Sequence, residues 1–156
     1  MINTNFYLKS KHWPRRLLKI RNISRKVIKE SRKLKFNNKI DYYLNIILTN
    51  DKDMKKVNLI YKNVKESTDV LTFVSQIQQK KFNKKKYCDI FFSIETIDNY
   101  SKKNKIDFYD HFTHLLVHSL LHINGYIHNN KVNFQRMKKI EIIILEKLGL
   151  QNPYII

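Results

Sequence analysis

Short β-branched and aromatic runs alternate along the chain with longer stretches whose apolar residues recur every three to four positions. Residues 2–8 predict a short strand. From Trp13 to Leu34 the apolar positions Leu17, Leu18, Ile20, Ile23, Val27 and Ile28 suit one face of a basic amphipathic helix, with Pro14 in its first turn. Tyr42–Leu48 predicts a strand. Lys52–Lys56 reads as a polar turn or a short helix, and Asn58–Tyr61 as another short strand. Asp69–Val74 and Ile90–Ile94 have the composition of buried strands, joined by a lysine-rich polar loop over Gln76–Lys86. A helix is expected from Glu95 and a stronger one over Asp107–Asn124. A last helix is expected over Asn133–Leu148, with Phe134, Met137, Ile140 and Ile144 on one face and Gly149 as its stop. No repeat or linker interrupts this order. The expectation is a single α+β domain over residues 1–156, a small mixed β-sheet with helices packed on it.

Composition narrows the function. The 156 residues, 42% of them apolar, suffice for one core. Lys and Arg number 31 against 13 Asp and Glu, a formal charge of +18. Residues 1–40 carry 13 of those cations against Glu30 alone, whereas residues 41–78 are balanced. A basic N-terminal face of this kind points to an anionic partner, nucleic acid first. Lys, Ile and Asn dominate throughout, as in AT-rich coding sequence, which accounts for some of the charge. A single cysteine, Cys88, excludes a disulfide framework and a cysteine-rich zinc site. Two glycines exclude a glycine-rich phosphate loop. No apolar run approaches the ~20 residues of a membrane span. Patterning that begins almost at Met1 leaves no room for a removable leader, so a cytoplasmic location is expected.

The candidate chemistry lies in residues 111–128, which hold five of the six histidines. His118 and His122 are four apart, about 40° around a helix, so both imidazoles can reach one ion. A third ligand cannot come from the next turn of a straight helix. Gly125 can turn the chain through positive φ and return His128 to the pair. Three imidazoles leave a fourth position open, the pattern of a catalytic zinc site. His111 and His114, on the same face one and two turns earlier, read as partly buried supporting groups. The spacing H-x-x-x-H-x-x-G-x-x-H is also that of the metzincin peptidases. Those need Glu after the first histidine as general base, and Ser119 stands there. The zinc geometry is therefore expected without the peptidase chemistry.

The segment HLLVHSLLHINGYIH, His114–His128, resembles the signature H-L-x-V-H-G-x-L-H-L-x-G-Y-D-H of the YbeY family of rRNA maturation factors. Further blocks follow in family order. Asn58–Lys62 with Ser67–Phe73 resembles L-N-x-x-Y-R … P-T-D-V-L-S-F. Cys88-Asp89-Ile90 with Ser93 resembles G-D-I-x-I-S. Met137, Glu141 and Leu148–Tyr154 resemble M-x-x-x-E … L-G-x-x-x-P-Y. The likeness spans residues 58–154.

The resemblance implies one zinc ion per chain, held by His118, His122 and His128 on a helix and the glycine turn after it. It implies a metal-dependent endoribonuclease, a hydrolase, specific for single-stranded RNA. Its task would be rRNA maturation, at the 16S rRNA 3′ end, and ribosome quality control. Its partners would be rRNA and the ribosome, with no membrane. The family's basic residue beside the site maps onto Lys62, which would stabilise the phosphate, although lysine lacks arginine's bidentate grip. Ser119 replaces a glycine, Ile127 an aspartate, Cys88 a glycine and Ser67 a proline. A carboxylate at position 127 would orient the third ligand, and its absence leaves that task open. Asp69 is expected either to orient a ligand or substrate or to pair with a lysine. Cys88 and Tyr126 are expected to serve packing. The basic N-terminal helix and Lys80–Lys86 are expected to hold the RNA backbone. The competing expectation is a non-catalytic RNA-binding assembly factor with a structural zinc.

Overall fold

The computed structural model describes residues 1–34, 36–80 and 82–155, with the Lys80 side chain left aside. Five strands and five helices follow in the order β1 (Ile2–Leu8), α1 (Leu17–Ser31), β2 (Ile40–Thr49), α2 (Asp51–Lys62), β3 (Val70–Val74), β4 (Gln78–Lys80), β5 (Asn83–Ser93), α3 (Ile94–Asn104), α4 (Phe108–Ile123) and α5 (Lys131–Lys147). This is the expected α+β fold with a mixed sheet. The strand order is β1-β2-β5-β3, with β4 pairing the first part of β5. β1, β2 and β5 are mutually parallel, and β3 and β4 run antiparallel to β5.

Alternation sets the two faces of the sheet. Ile40, Tyr42, Leu44, Ile46 and Leu48 of β2 are buried, and the intervening residues are half-buried. On β5, Cys88, Ile90 and Phe92 share that core face. The opposite face is less covered, as in sheets that pack on one side. There Tyr43 and Tyr87 stack with ring centroids 5.1 Å apart. α4 is the central helix, in contact with α1, α3, α5 and β3. Phe112 of α4 meets Phe92 of β5 at 4.5 Å. Trp13, fully buried, donates its indole N–H to the Thr49 carbonyl at 2.8 Å and packs edge-on against Phe108 and Phe112. The N-terminal segment is thereby tied to the centre of the core.

Three expectations change. The helix expected over Trp13–Leu34 starts at Leu17, after one 3-10 turn at Pro14–Arg16, and ends at Ser31; Leu18 faces solvent. The strand expected at Asn58–Tyr61 is the last turn of α2, whose first turns take the helical alternative expected at Lys52–Lys56. The reason is local. The Asn50 side chain accepts from the Asp53 N–H, acids at 51 and 53 favour the positive end of the helix, and Met54 and Asn58 share its buried face. The loop expected at Gln76–Lys86 contains a hairpin, Gln78↔Lys85 and Gln79↔Lys84. Its ladder satisfies the backbone while the lysine-rich side chains need no core. Lys81 lies outside the described residues. No helix among the described residues is long and apolar enough to cross a membrane.

Candidate metal centre

Asp107 starts α4 by accepting from the N–H groups of Tyr109 and Asp110. Asn124 ends it, and Gly125 follows at φ +91°. The Gly125 N–H donates to the His122 carbonyl and the Tyr126 N–H to the Leu121 carbonyl, both at 3.0 Å. This paired closure is the one a left-handed glycine makes after a helix. It reverses the chain and returns His128 to the helix face bearing His118 and His122. Each of the three histidines offers a nitrogen, all within 4.8 Å of one another. The Nε2 atoms of His118 and His122 lie 3.0 Å apart.

The surroundings decide which nitrogens are free. His122 Nδ1 lies 3.0 Å from the Tyr126 carbonyl, which can only accept, so Nδ1 carries the proton and Nε2 keeps its lone pair. His118 Nδ1 lies 3.3 Å from Glu141 Oε2, and the same argument frees its Nε2. Two lone pairs therefore face one point, with a third imidazole beside them. That donor set fits a divalent cation that accepts imidazole nitrogen, zinc among them.

Glu141 is a carboxylate on the buried side of α5, 1% exposed. One oxygen contacts His114 Nε2; the other faces His118 and accepts from the Tyr154 hydroxyl at 3.2 Å. Burial alone would raise this carboxyl, but the hydrogen bonds and charges of His114 and His118 outweigh it and hold it down at about 2. Burial and the adjacent Glu141 carboxylate raise the Tyr154 phenol above its ordinary value.

The three histidines open onto a cavity of about 570 Å³ that Lys62, Asp69 and His114 also line. Lys62 is the last residue of α2, and Asn63 after it turns left-handed at φ 53°. Tyr61 packs on Phe73 of β3 at 4.9 Å, which fixes the end of α2 beside the cavity. Asp69, at the start of β3, pairs with a histidine and, among the described residues, not with a lysine. Its Oδ2 lies 3.3 Å from His111 Nε2, and its Oδ1 accepts from the Val70 N–H at 2.8 Å. Burial opposes ionisation of Asp69, and His111 outweighs it, so its carboxyl is lowered. His111 is buried and stacks on Tyr100 at 4.2 Å. Both extra histidines thus have carboxylate neighbours, Asp69 and Glu141.

Comparison with known proteins identifies the family. The family model described as Endoribonuclease YbeY matches residues 8–149. The chain belongs to the YbeY endoribonuclease family. It is 35% identical to the Endoribonuclease YbeY of Ehrlichia ruminantium strain Gardel over 158 residues, covering 99% of this chain and 96% of the relative. Against the Endoribonuclease YbeY of Ehrlichia chaffeensis the identity is 36% over 115 residues, 72% of this chain and 71% of the relative. A Thermotoga maritima protein solved in solution shares the fold, with TM-score 0.57 and 21% identity over 96% of this chain and 92% of that one.

As a YbeY protein the chain is an endoribonuclease, a hydrolase whose substrate is RNA. Its departures from the YbeY pattern have structural answers. Ser119 is fully buried where the pattern has glycine; its hydroxyl donates to the Leu115 carbonyl at 3.0 Å and accepts from Thr72 at 2.9 Å. The added oxygen therefore ties β3 to α4. Ile127, half exposed, offers no polar atom to His128, and the carboxylate of this centre stands across it on His118. Cys88 is fully buried, and burial pushes its thiol up to about 11, so it packs and does not attack. Tyr126 packs on the core, and its backbone carbonyl also sets the His122 tautomer. The roles of Glu141 and Tyr154 escaped sequence reasoning. The signals were an acid on the Met137–Ile144 apolar face of α5 and the match of Glu141 and Tyr154 to the family pattern, neither of which names a role.

Proposed function

We propose that this protein is a zinc-dependent, single-strand-specific endoribonuclease. It acts in the cytoplasm on rRNA in maturing ribosomes, at the 16S 3′ end and in ribosome quality control. The whole chain works as one catalytic domain carrying one zinc ion. The observation that carries this reading is the convergence of three imidazoles, two of them with Nε2 lone pairs freed by their Nδ1 partners, and one lysine on a single cavity.

His118, His122 and His128 hold the ion, which when bound supplies Lewis acidity at the scissile phosphate. Lys62 sets its ammonium against the charge that grows on the phosphate oxygens. Its flexible stem and single charged nitrogen place charge there without fixing orientation, so orientation falls to the cavity walls. Glu141 and the Tyr126 carbonyl keep two of the imidazoles in the tautomer that presents Nε2.

The test compares zinc-loaded protein with its His118→Ala variant on single-stranded RNA spanning the 3′ end of small-subunit rRNA. Cleavage by the parent alone is expected. RNA bound but cut by neither protein would replace the nuclease with an assembly factor whose zinc is structural. Lys62→Ala is expected to slow cleavage with zinc retained, and unchanged cleavage removes Lys62 from the mechanism.

A further inference from the structure

A concentration of cations with no ion-pair partner among the described residues lies away from the metal centre. β1 is an edge strand that pairs only with β2 among the described residues. α1 lies beside it, and between them runs a groove of about 440 Å³. Arg21, Arg25, Lys29 and Arg32 line it, and no Asp or Glu does among the described residues. The first three are spaced four residues apart, so they follow one face of α1 at about 6 Å intervals. Phe6 forms part of the opposite wall, its ring 5.5 Å from the Arg21 guanidinium. Ser24 also lines the groove; it is 1% exposed, and its hydroxyl has no hydrogen-bond partner.

These features match one kind of occupant. A row of evenly spaced cations with no anion among them suits a chain of evenly spaced phosphates. A half-buried aromatic ring beside the row suits an unpaired base. An acidic peptide would use the charge but not the ring or the regular spacing.

The groove faces the same side of the sheet as the histidines. Phe6 and Thr4 pair with Ile46 and Leu44 on the core face, where Thr72 of β3 meets α4. It lies at the opposite edge, three strand spacings from β3, or about 14 Å.

We propose that the groove between α1 and β1 is a second binding site for the phosphate backbone of single-stranded RNA, anchoring the substrate several nucleotides from the bond cut at the histidines. This rests on the ribonuclease reading, and it makes the enzyme favour unpaired segments long enough to reach both places.

The test is a fourfold variant, Arg21→Gln, Arg25→Gln, Lys29→Gln and Arg32→Gln, set against a control that loses the same charge elsewhere: Lys52→Gln, Lys55→Gln, Lys56→Gln and Lys103→Gln. All eight side chains are exposed. RNA affinity is measured against salt concentration on the zinc-loaded proteins. Each phosphate contact contributes a slope of about 0.7 on single strands, so four lost contacts should make the groove variant shallower by about 2.8. The control should change less, and KM for a long single strand should rise in the groove variant alone. Equal slope changes in both variants would reduce the effect to net charge and overturn the site. An unchanged RNA slope with weakened binding of an oligoglutamate peptide would overturn it in favour of an acidic protein partner. Because slopes are read from binding, a parent that binds RNA without cutting it refutes the nuclease reading alone.

Discussion

Replacing Glu141 with Gln isolates what a buried carboxylate does for a metal it does not touch. The substitution keeps the volume, so α5 stays packed, and removes the charge that faces His118 and His114. A hydrogen bond to a charged group contributes about 1.5–3 kcal/mol, and one such bond acts directly on a candidate ligand here. If that bond fixes the His118 tautomer, its loss appears in metal binding as about a 10- to 100-fold weaker zinc affinity. Competition against a chromophoric chelator measures this without any RNA. A cobalt-substituted sample adds a second readout, because the visible bands of tetrahedral Co²⁺ change when a ligand ring rotates. Melting of the metal-free variant separates the two explanations. A protein that is less stable without metal yet binds zinc as tightly as the parent would show that Glu141 serves packing alone, and the tautomer argument would fail.

Three further outcomes are expected. Asp51 accepts from Ser93, Thr96 and Ser67 at 2.5, 2.6 and 2.9 Å; burial opposes ionisation, and these bonds outweigh it, lowering the carboxyl. A depressed carboxyl stabilises fully above its unfolded value and loses that contribution as pH falls through the folded one. Asp51→Asn should therefore cost about 1–3 kcal/mol at neutral pH and flatten the acid limb of urea midpoints below about pH 4. Trp13→Phe removes the indole bond to Thr49 and should cost about 1–3 kcal/mol by circular dichroism melts, with an unchanged melt refuting its anchoring role. Gly125→Ala tests conformation without sterics. An added Cβ meets nothing within 4 Å, so the left-handed φ alone should cost about 1–2 kcal/mol and weaken zinc binding by displacing His128. Wild-type stability and affinity would mean that the turn relaxes without moving His128.

Much of this centre was legible because its signals are local. The four-residue spacing of His118 and His122 and the glycine before His128 occupy eleven consecutive residues, and one helix with the turn that ends it brings them together. Strands β1, β2 and β3 were equally plain, since short runs rich in β-branched and aromatic residues favour a pleated, half-buried strand. The last turn of α2 was misread because V-N-L-I-Y is short enough to fit either period, although Asn50 and the two acids behind it marked a helix start. The hairpin of β4 with β5 left no apolar trace, because its lysines need no core and its stability lies in backbone pairing. Glu141 is different in kind. It meets His118 across 23 residues and two helices, and no spacing rule reaches that far.

The sheet's connectivity has a consequence for how the chain acquires its structure. β2 and β5 are the central neighbours, yet they are separated by all of α2, β3 and β4, and β1 joins only by running parallel to β2 across α1. Each of these pairings closes a long loop before any contact compensates, so folding should be slow for a protein of this size. During synthesis the first 40 residues, with their excess of cations, leave the ribosome well before β5 can offer β2 a partner. The nascent chain thus spends its least protected interval as a basic, unpaired polymer beside a surface of RNA, where transient attachment would delay its own folding.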